Sequence, residues 1–233
     1  MSGCVAVIPA RGGSRRIARK NIRPFLGRPV LHYPIATARA SGLFDDILVS
    51  TDDAEIAAVA VDAGASVPFL RPAALADDHT GTAAVLAHAV AWLTAAGREP
   101  RTVCCLYPTA VFTRADDLRA ARERLDTGNA DCVFGACAFA HPIQRALVDR
   151  GDGRLRPVDA DGFGRRTQDL APAYHDAGQF YWYRTAAGDA ANPPSLDGSL
   201  AYVFARHHIV DLDEPQDWEY AEALYRLRFG TGE

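Results

Sequence analysis

The chain has 233 residues, enough for one full core with an elaboration. Its 48% hydrophobic and 23% charged residues are those of a globular protein, and a formal charge of −4 argues against general nucleic-acid binding. No apolar run approaches the ~20 residues of a membrane span and no signal-like segment opens the chain, so the expected compartment is the cytoplasm.

The apolar run Cys4–Ile8 predicts a buried strand. It stops at Pro9 and opens into Ala10-Arg11-Gly12-Gly13-Ser14-Arg15-Arg16, then Arg19-Lys20-Asn21. Paired glycines allow a sharp turn and a close approach of backbone N–H groups to a ligand. Five crowded basic residues in the span 11–20 repel one another unless an anion sits among them. A glycine- and cation-rich loop after a first strand reads as a polyphosphate cradle.

A helix is expected over Val30–Ala40, a strand at Asp46–Ser50, a helix at Ala54–Ala63 ending at Gly64, and a short strand at Ser66–Leu70. Thr82–Ala96 predicts a helix stopped by Gly97, Thr102–Tyr107 a strand, Ala115–Leu125 a helix and Asp131–Ala136 a strand. This alternation predicts an α/β fold, a mostly parallel sheet covered by helices on both faces. Ligands of such sheets bind beyond the carboxyl ends of the strands, where the basic loop, Thr51-Asp52 and Pro108-Thr109 should collect. From 139 to 174 four glycines punctuate short segments without helical period, and this reads as a β-rich excursion inside a single domain spanning 1–233. Gly178–Tyr183 and His208–Leu212 are expected strands, and Pro215 opens a helix reaching about Arg228. Cys4, Cys104, Cys105, Cys132 and Cys137 lie in or beside strand-like runs, a core-packing pattern with neither disulfide framework nor zinc spacing.

Alternation along Asp211-Leu212-Asp213 puts two carboxylates on one face. Beside a polyphosphate loop such a pair reads as a magnesium seat, because magnesium takes one or two carboxylates plus phosphate oxygens and water. Arg71 can fork onto a phosphate, and Thr80 or Thr82 can cap the following helix and leave its free N–H groups facing a base or phosphate.

Ile8-Pro9-Ala10-Arg11-Gly12-Gly13-Ser14, Arg19-Lys20-Asn21, Ser50-Thr51-Asp52, Leu70-Arg71-Pro72 and Asp211-Leu212-Asp213 together resemble the CMP-nonulosonate synthetases, the cytidylyltransferases that activate sialic-acid-like sugars. Residues 141–147, 166–170 and 174–182 are similar to the pseudaminic acid branch of that family rather than to the sialic acid branch. The chain departs from the family pattern at Tyr107, where a glutamine is usual, and at Val111 and Ala171-Pro172. The resemblance implies a nucleotide-diphospho-sugar transferase type of three-layer sheet, with CTP and a nonulosonic acid as substrates and Mg2+ as cofactor. It also implies a homodimer in which the 139–174 excursion packs on a partner and helps close the partner's sugar site. Ala10, Arg11, Gly12, Gly13, Ser14 and Asn21 would hold CTP, with Arg71, Thr80 and Thr82 around base and ribose. Lys20 would neutralise charge during transfer, with Arg11, Asp211 and Asp213 completing the catalytic set. Tyr107, Gln144, Arg145, Gln168 and Gln179 would meet the sugar.

Two rivals remain at this level. One is a synthetase for sialic, legionaminic or another nonulosonic acid. The other is an NAD-binding oxidoreductase, which needs G-x-G-x-x-G and an acid ending the second strand. Asp52 is roughly placed for that acid, but the glycine pattern is wrong.

Overall fold

The computed structural model describes residues 3–185 and 196–230. In chain order these form β1 (Cys4–Pro9), β2 (Pro24–Phe25), β3 (Arg28–Pro29), α1 (His32–Ser41), β4 (Asp46–Ser50), α2 (Ala54–Asp62), α3 (Thr82–Ala95), β5 (Thr102–Leu106) and α4 (Ala115–Thr127). Then come β6 (Cys132–Ala138), β7 (Leu147–Asp149), β8 (Leu155–Pro157), α5 (Ala160–Gly164), β9 (Tyr174–Arg184), β10 (Leu200–Phe204) and α6 (Pro215–Phe229).

The central sheet runs β10-β6-β9-β5-β1-β4. Only β9 is antiparallel to its neighbours; the β10–β6, β5–β1 and β1–β4 pairs are parallel, as the βα alternation predicts. β1 shows why its run is continuously apolar. Cys4 and Ile8 face a cluster with Ile35, Ile56 and Leu118, while Val5 and Val7 face Leu86, Val90 and Leu93 of α3 on the other side. A strand covered on both faces needs apolar residues at every position. A third cluster joins Ile17, Phe25 and Val111 to Leu212 and Trp218, tying α6 to the β2–β3 hairpin.

All five cysteines are buried and free. Burial raises the Cys4 thiol to about 11 and the Cys104 and Cys105 thiols further, so they are inert packing groups.

Three expectations are corrected. The Ser66–Leu70 segment touches the sheet only through isolated Leu48–Ser66 and Thr51–Leu70 bridges and forms no strand. His208–Leu212 is not a strand: Arg206–His208 is a turn of 3-10 helix, and the edge place beside β6 belongs to β10. α3 is preceded by Gly81 with no side-chain cap, so neither Thr80 nor Thr82 caps it. The Thr80 hydroxyl donates to the Ala74 carbonyl instead. The loop does turn tightly, with the Ser14 N–H donating to the Gly12 carbonyl at 3.1 Å, though neither Gly12 nor Gly13 has positive φ. Gly12 is needed for another reason: a Cβ there would lie 2.8 Å from an Asp53 carboxylate oxygen.

Candidate active site

The carboxyl ends of β1, β4 and β5 open onto a cleft of about 530 Å³. It is lined by Arg11, Ser14, Arg15, Arg16, Lys20, Asn21, Arg71, Asp78, Thr80, Thr82, Tyr107 and Thr109, among others. Five of these are cations and one is a carboxylate. Uncompensated positive charge in a cleft is a physical demand for an anion.

The cations are held in three ways. Arg11 donates to Asp78 Oδ1 at 2.8 Å and to the Asp77 carbonyl, and Arg15 also contacts Asp78. Arg16 reaches Asp213 Oδ1 at 2.7 Å, and Lys20 Nζ donates to the Leu212 carbonyl at 2.7 Å with Asp213 Oδ1 at 3.3 Å. These pairs are partly exposed, each worth about 0–1 kcal/mol, so a triphosphate can exchange them at small cost. Arg71 differs. It is buried, donates Nε–H to Ser50 Oγ at 3.1 Å and bonds the Ser50 carbonyl, and has no carboxylate partner among the described residues. Burial lowers its pKa, and the nearby charge of Asp52 partly offsets this.

Asn21 is buried, and its Nδ2 donates to the Arg11 carbonyl at 2.9 Å. Its Oδ1 has no partner. An orphaned buried acceptor costs about 1–3 kcal/mol unless a donor arrives, so this oxygen is built to receive one. Asp52 does not serve a ribose: its Oδ1 accepts from the Gly12 N–H at 2.9 Å and so fixes the loop, which removes the last support for an NAD site.

Arg19 sits behind the loop in left-handed conformation (φ 53°) and forks onto Asp53 and Glu55. Asp53 also caps α2 by accepting from Glu55 and Ile56 N–H. The Arg19 hydrogen bond, followed by these amides, holds the Asp53 carboxyl at about 2. A folded pKa below the unfolded one of about 3.9 gives stability that is present above pH 4 and lost as pH falls toward 2. Asp53→Asn should remove that dependence. Wild-type and variant unfolding midpoints should separate at pH 5 and converge near pH 2; a constant difference across the range would contradict the assignment.

Asp211 and Asp213 flank the fully buried Leu212, so alternation survives without a strand. Asp213 is anchored by its N–H to Asp217 Oδ2 at 3.1 Å, at the start of α6. Asp211 stands against Gly178, whose left-handed φ of 59° suits glycine and whose place would put a Cβ 3.3 Å from Asp211 Oδ2. Surrounding protein, then the charge of Asp213, raise the Asp211 pKa even though one side of it meets solvent. Two mutually repelling carboxylates, one of them with no ion pair among the described residues, fit a divalent cation. No group of three or more His, Cys, Asp or Glu side chains gathers among the described residues. A cation seated there would take its remaining ligands from phosphate oxygens and water.

The expected sugar contacts are not assembled here. Gln179 is buried in β9, accepting from Thr113 Oγ1 at 3.2 Å and donating to the Ala177 carbonyl at 3.0 Å, and it lines no part of the cleft. Gln144 donates to the Ala171 carbonyl and Arg145 to Thr167 Oγ1, so both bind the excursion to itself, and the exposed Gln168 lines no part of the cleft. Tyr107 does line it, with its hydroxyl 3.4 Å from Thr82 Oγ1. Arg15, Arg16 and Asp78 were not singled out as site residues in the sequence; the first two were visible as basic residues of the loop, whereas Asp78 carried no signal beyond polarity.

A parallel α/β sheet with a cation-lined cleft at its strand ends and a carboxylate pair beside it defines a nucleotidyltransferase. A cytidylyltransferase family model matches residues 5–160. The chain is 39% identical to a pseudaminic acid cytidylyltransferase of Campylobacter jejuni over 96% of both chains. It is 38% identical to a CMP-N,N'-diacetyllegionaminic acid synthase of Legionella pneumophila, again over 96% of both. A CMP:2-keto-3-deoxy-manno-octonic acid synthetase solved with CTP shares the fold, with a TM-score of 0.70 at 18% identity over 97% of this chain and 99% of that one. The chain belongs to the cytidylyltransferase family. Among the described residues no helix is long and apolar enough to cross a membrane.

Proposed function

We propose that the protein transfers CMP from CTP to the anomeric hydroxyl of pseudaminic acid and releases pyrophosphate. The observation that carries this reading is the convergence of Lys20, from the phosphate loop, with Asp213, from the carboxylate pair. Phosphoryl-type transfer is mostly positioning and charge neutralisation. Arg11, Arg15 and Arg71 bind the triphosphate, displacing Asp78, on a loop that Asp52 fixes through the Gly12 N–H. The orphaned Asn21 Oδ1 accepts from a hydroxyl or amine of the nucleotide. Lys20 meets the charge that grows as the Pα–O bond to pyrophosphate breaks. Asp211 and Asp213 would hold a magnesium ion, which would supply positive charge to offset that of the triphosphate.

The sugar rests on similarity to the Campylobacter enzyme over nearly the whole chain. The Legionella relative is almost as similar, so N,N'-diacetyllegionaminic acid is the second reading. A coupled pyrophosphate assay with CTP and each acid separates them. Pseudaminic acid should give the highest kcat/KM; a higher value with legionaminic or sialic acid would replace it.

The 139–174 excursion is the dimer contact in this reading. The β7–β8 hairpin pairs only with itself. Phe139, Ile143, Leu147, Val148, Leu155, Val158 and Tyr174 are all exposed, Leu155 by 62% and Val158 by 65%. Apolar groups so concentrated mark an association surface, and a second copy is its occupant. Leu155→Asp should shift the mass measured by light scattering from dimer to monomer. A wild-type monomer at micromolar concentration would refute the contact.

A further inference from the structure

Another cavity, of about 470 Å³, has Asp211 in its wall. Phe139, His175, Asp176, Arg206 and Ile209 line it together with Asp211. Arg206 donates from one guanidinium nitrogen to the Ala140 carbonyl at 3.0 Å and has no carboxylate within ion-pair distance among the described residues. Phe139 packs edge-on to His175 with ring centroids 5.0 Å apart, giving the cavity an apolar wall. Asp176 accepts from the Tyr181 hydroxyl and the Gly178 N–H, which fixes its carboxylate at the cavity rim.

The chemistry of the acceptor says where its negative charge must go. In a 2-keto sugar acid closed to its ring, one carbon bears both the anomeric hydroxyl and the carboxylate. A group that binds the carboxylate therefore lies beside the reacting oxygen, at the Asp211 and Asp213 pair. Arg16 and Lys20 are close to that pair but already engaged with Asp213. Arg206 shares a cavity with Asp211, is free of any ion pair there, and carries a planar fork matched to a carboxylate.

We propose that Arg206 binds the carboxylate of the acceptor sugar acid, and that the cavity it shares with Phe139, His175 and Asp211 is the acceptor subsite. This deepens the transfer reading above and rests on it. Arg206 sets specificity for an acid over a neutral ketose, while Phe139 and Ile209 offer apolar contact to acyl methyls.

The test compares the sugar acid with its carboxamide in wild type, Arg206→Gln and Arg206→Lys, following pyrophosphate release. A charge-assisted fork is worth roughly 10- to 100-fold in binding. In wild type the carboxamide should have a KM higher by about that factor. Arg206→Gln should raise the KM of the acid by the same factor, leave the carboxamide nearly unchanged, and move the KM for CTP less than twofold. Arg206→Lys, which keeps the charge, should recover part of the loss. If Arg206→Gln penalises acid and carboxamide equally, or weakens CTP as much, the guanidinium merely holds the Ala140 segment and the assignment is overturned. If the variant handles the acid as wild type does, the assignment alone falls. If wild type releases pyrophosphate with no nonulosonic acid, the transfer reading falls and takes the subsite with it.

Discussion

Lys20→Ala is expected to lower kcat by about 10³, or about 4 kcal/mol of barrier, with the KM for CTP changed only a few-fold. The asymmetry follows from when the charge is needed. Arg11, Arg15 and Arg71 already surround a bound triphosphate, so ground-state binding has other cations. The Lys20 ammonium instead lies at the junction with Asp213, 2.7 Å from the Leu212 carbonyl. Charge transferred to the departing pyrophosphate is met there, and an interaction made mainly in the transition state appears in kcat. The fold should survive. The side chain is partly exposed, and Asp213 keeps its bonds to Arg16 and Asp217. A melting point within a few degrees of wild type, with pyrophosphate release near background, is the expected pair of results. Near-normal turnover would remove Lys20 from the site.

Asp211→Asn is expected to cost about 10²–10³ in kcat/KM and to raise the magnesium concentration for half-maximal rate at least about tenfold. Asparagine keeps the shape beside Gly178 and removes one of two repelling charges. Burial, and then that repulsion, raise the Asp211 pKa, so the variant should fold at least as well as wild type while binding the cation less. Loss of rate without loss of stability distinguishes a functional carboxylate from a packing one. A magnesium titration that superimposes on wild type would take Asp211 out of the metal seat.

Much of this was legible from the chain because burial dictates pattern. β1 is apolar at every position since both its faces are covered, and α2, α3 and α4 kept helical period and stop signals. The loop was legible for a different reason: its charges cannot be explained by packing. Where reading failed, two structures shared one local pattern. Ile209, Val210 and Leu212 alternate like a strand, yet they bury against the α6 cluster without a ladder partner. Leu200–Phe204 was the better strand and went unassigned, although its apolar and aromatic run carries the usual signal. A polar residue in an aromatic strand invites a ligand-contact reading, but the Gln179 side chain bonds Thr113, 66 residues away, which no local pattern shows. Arg206 offered no local signal at all, since its meaning comes from the Asp211 cavity beside it.

The central claim is that the acceptor's own anomeric oxygen attacks the α-phosphorus of CTP. Phosphorus NMR of a reaction containing CTP, magnesium and pseudaminic acid labelled with ¹⁸O at the anomeric hydroxyl tests it most directly. The expected product is a CMP ester with the label in the bridge between sugar and phosphorus, alongside unlabelled pyrophosphate. Label found in pyrophosphate, an ester without label, or CTP left intact beside the sugar would contradict it.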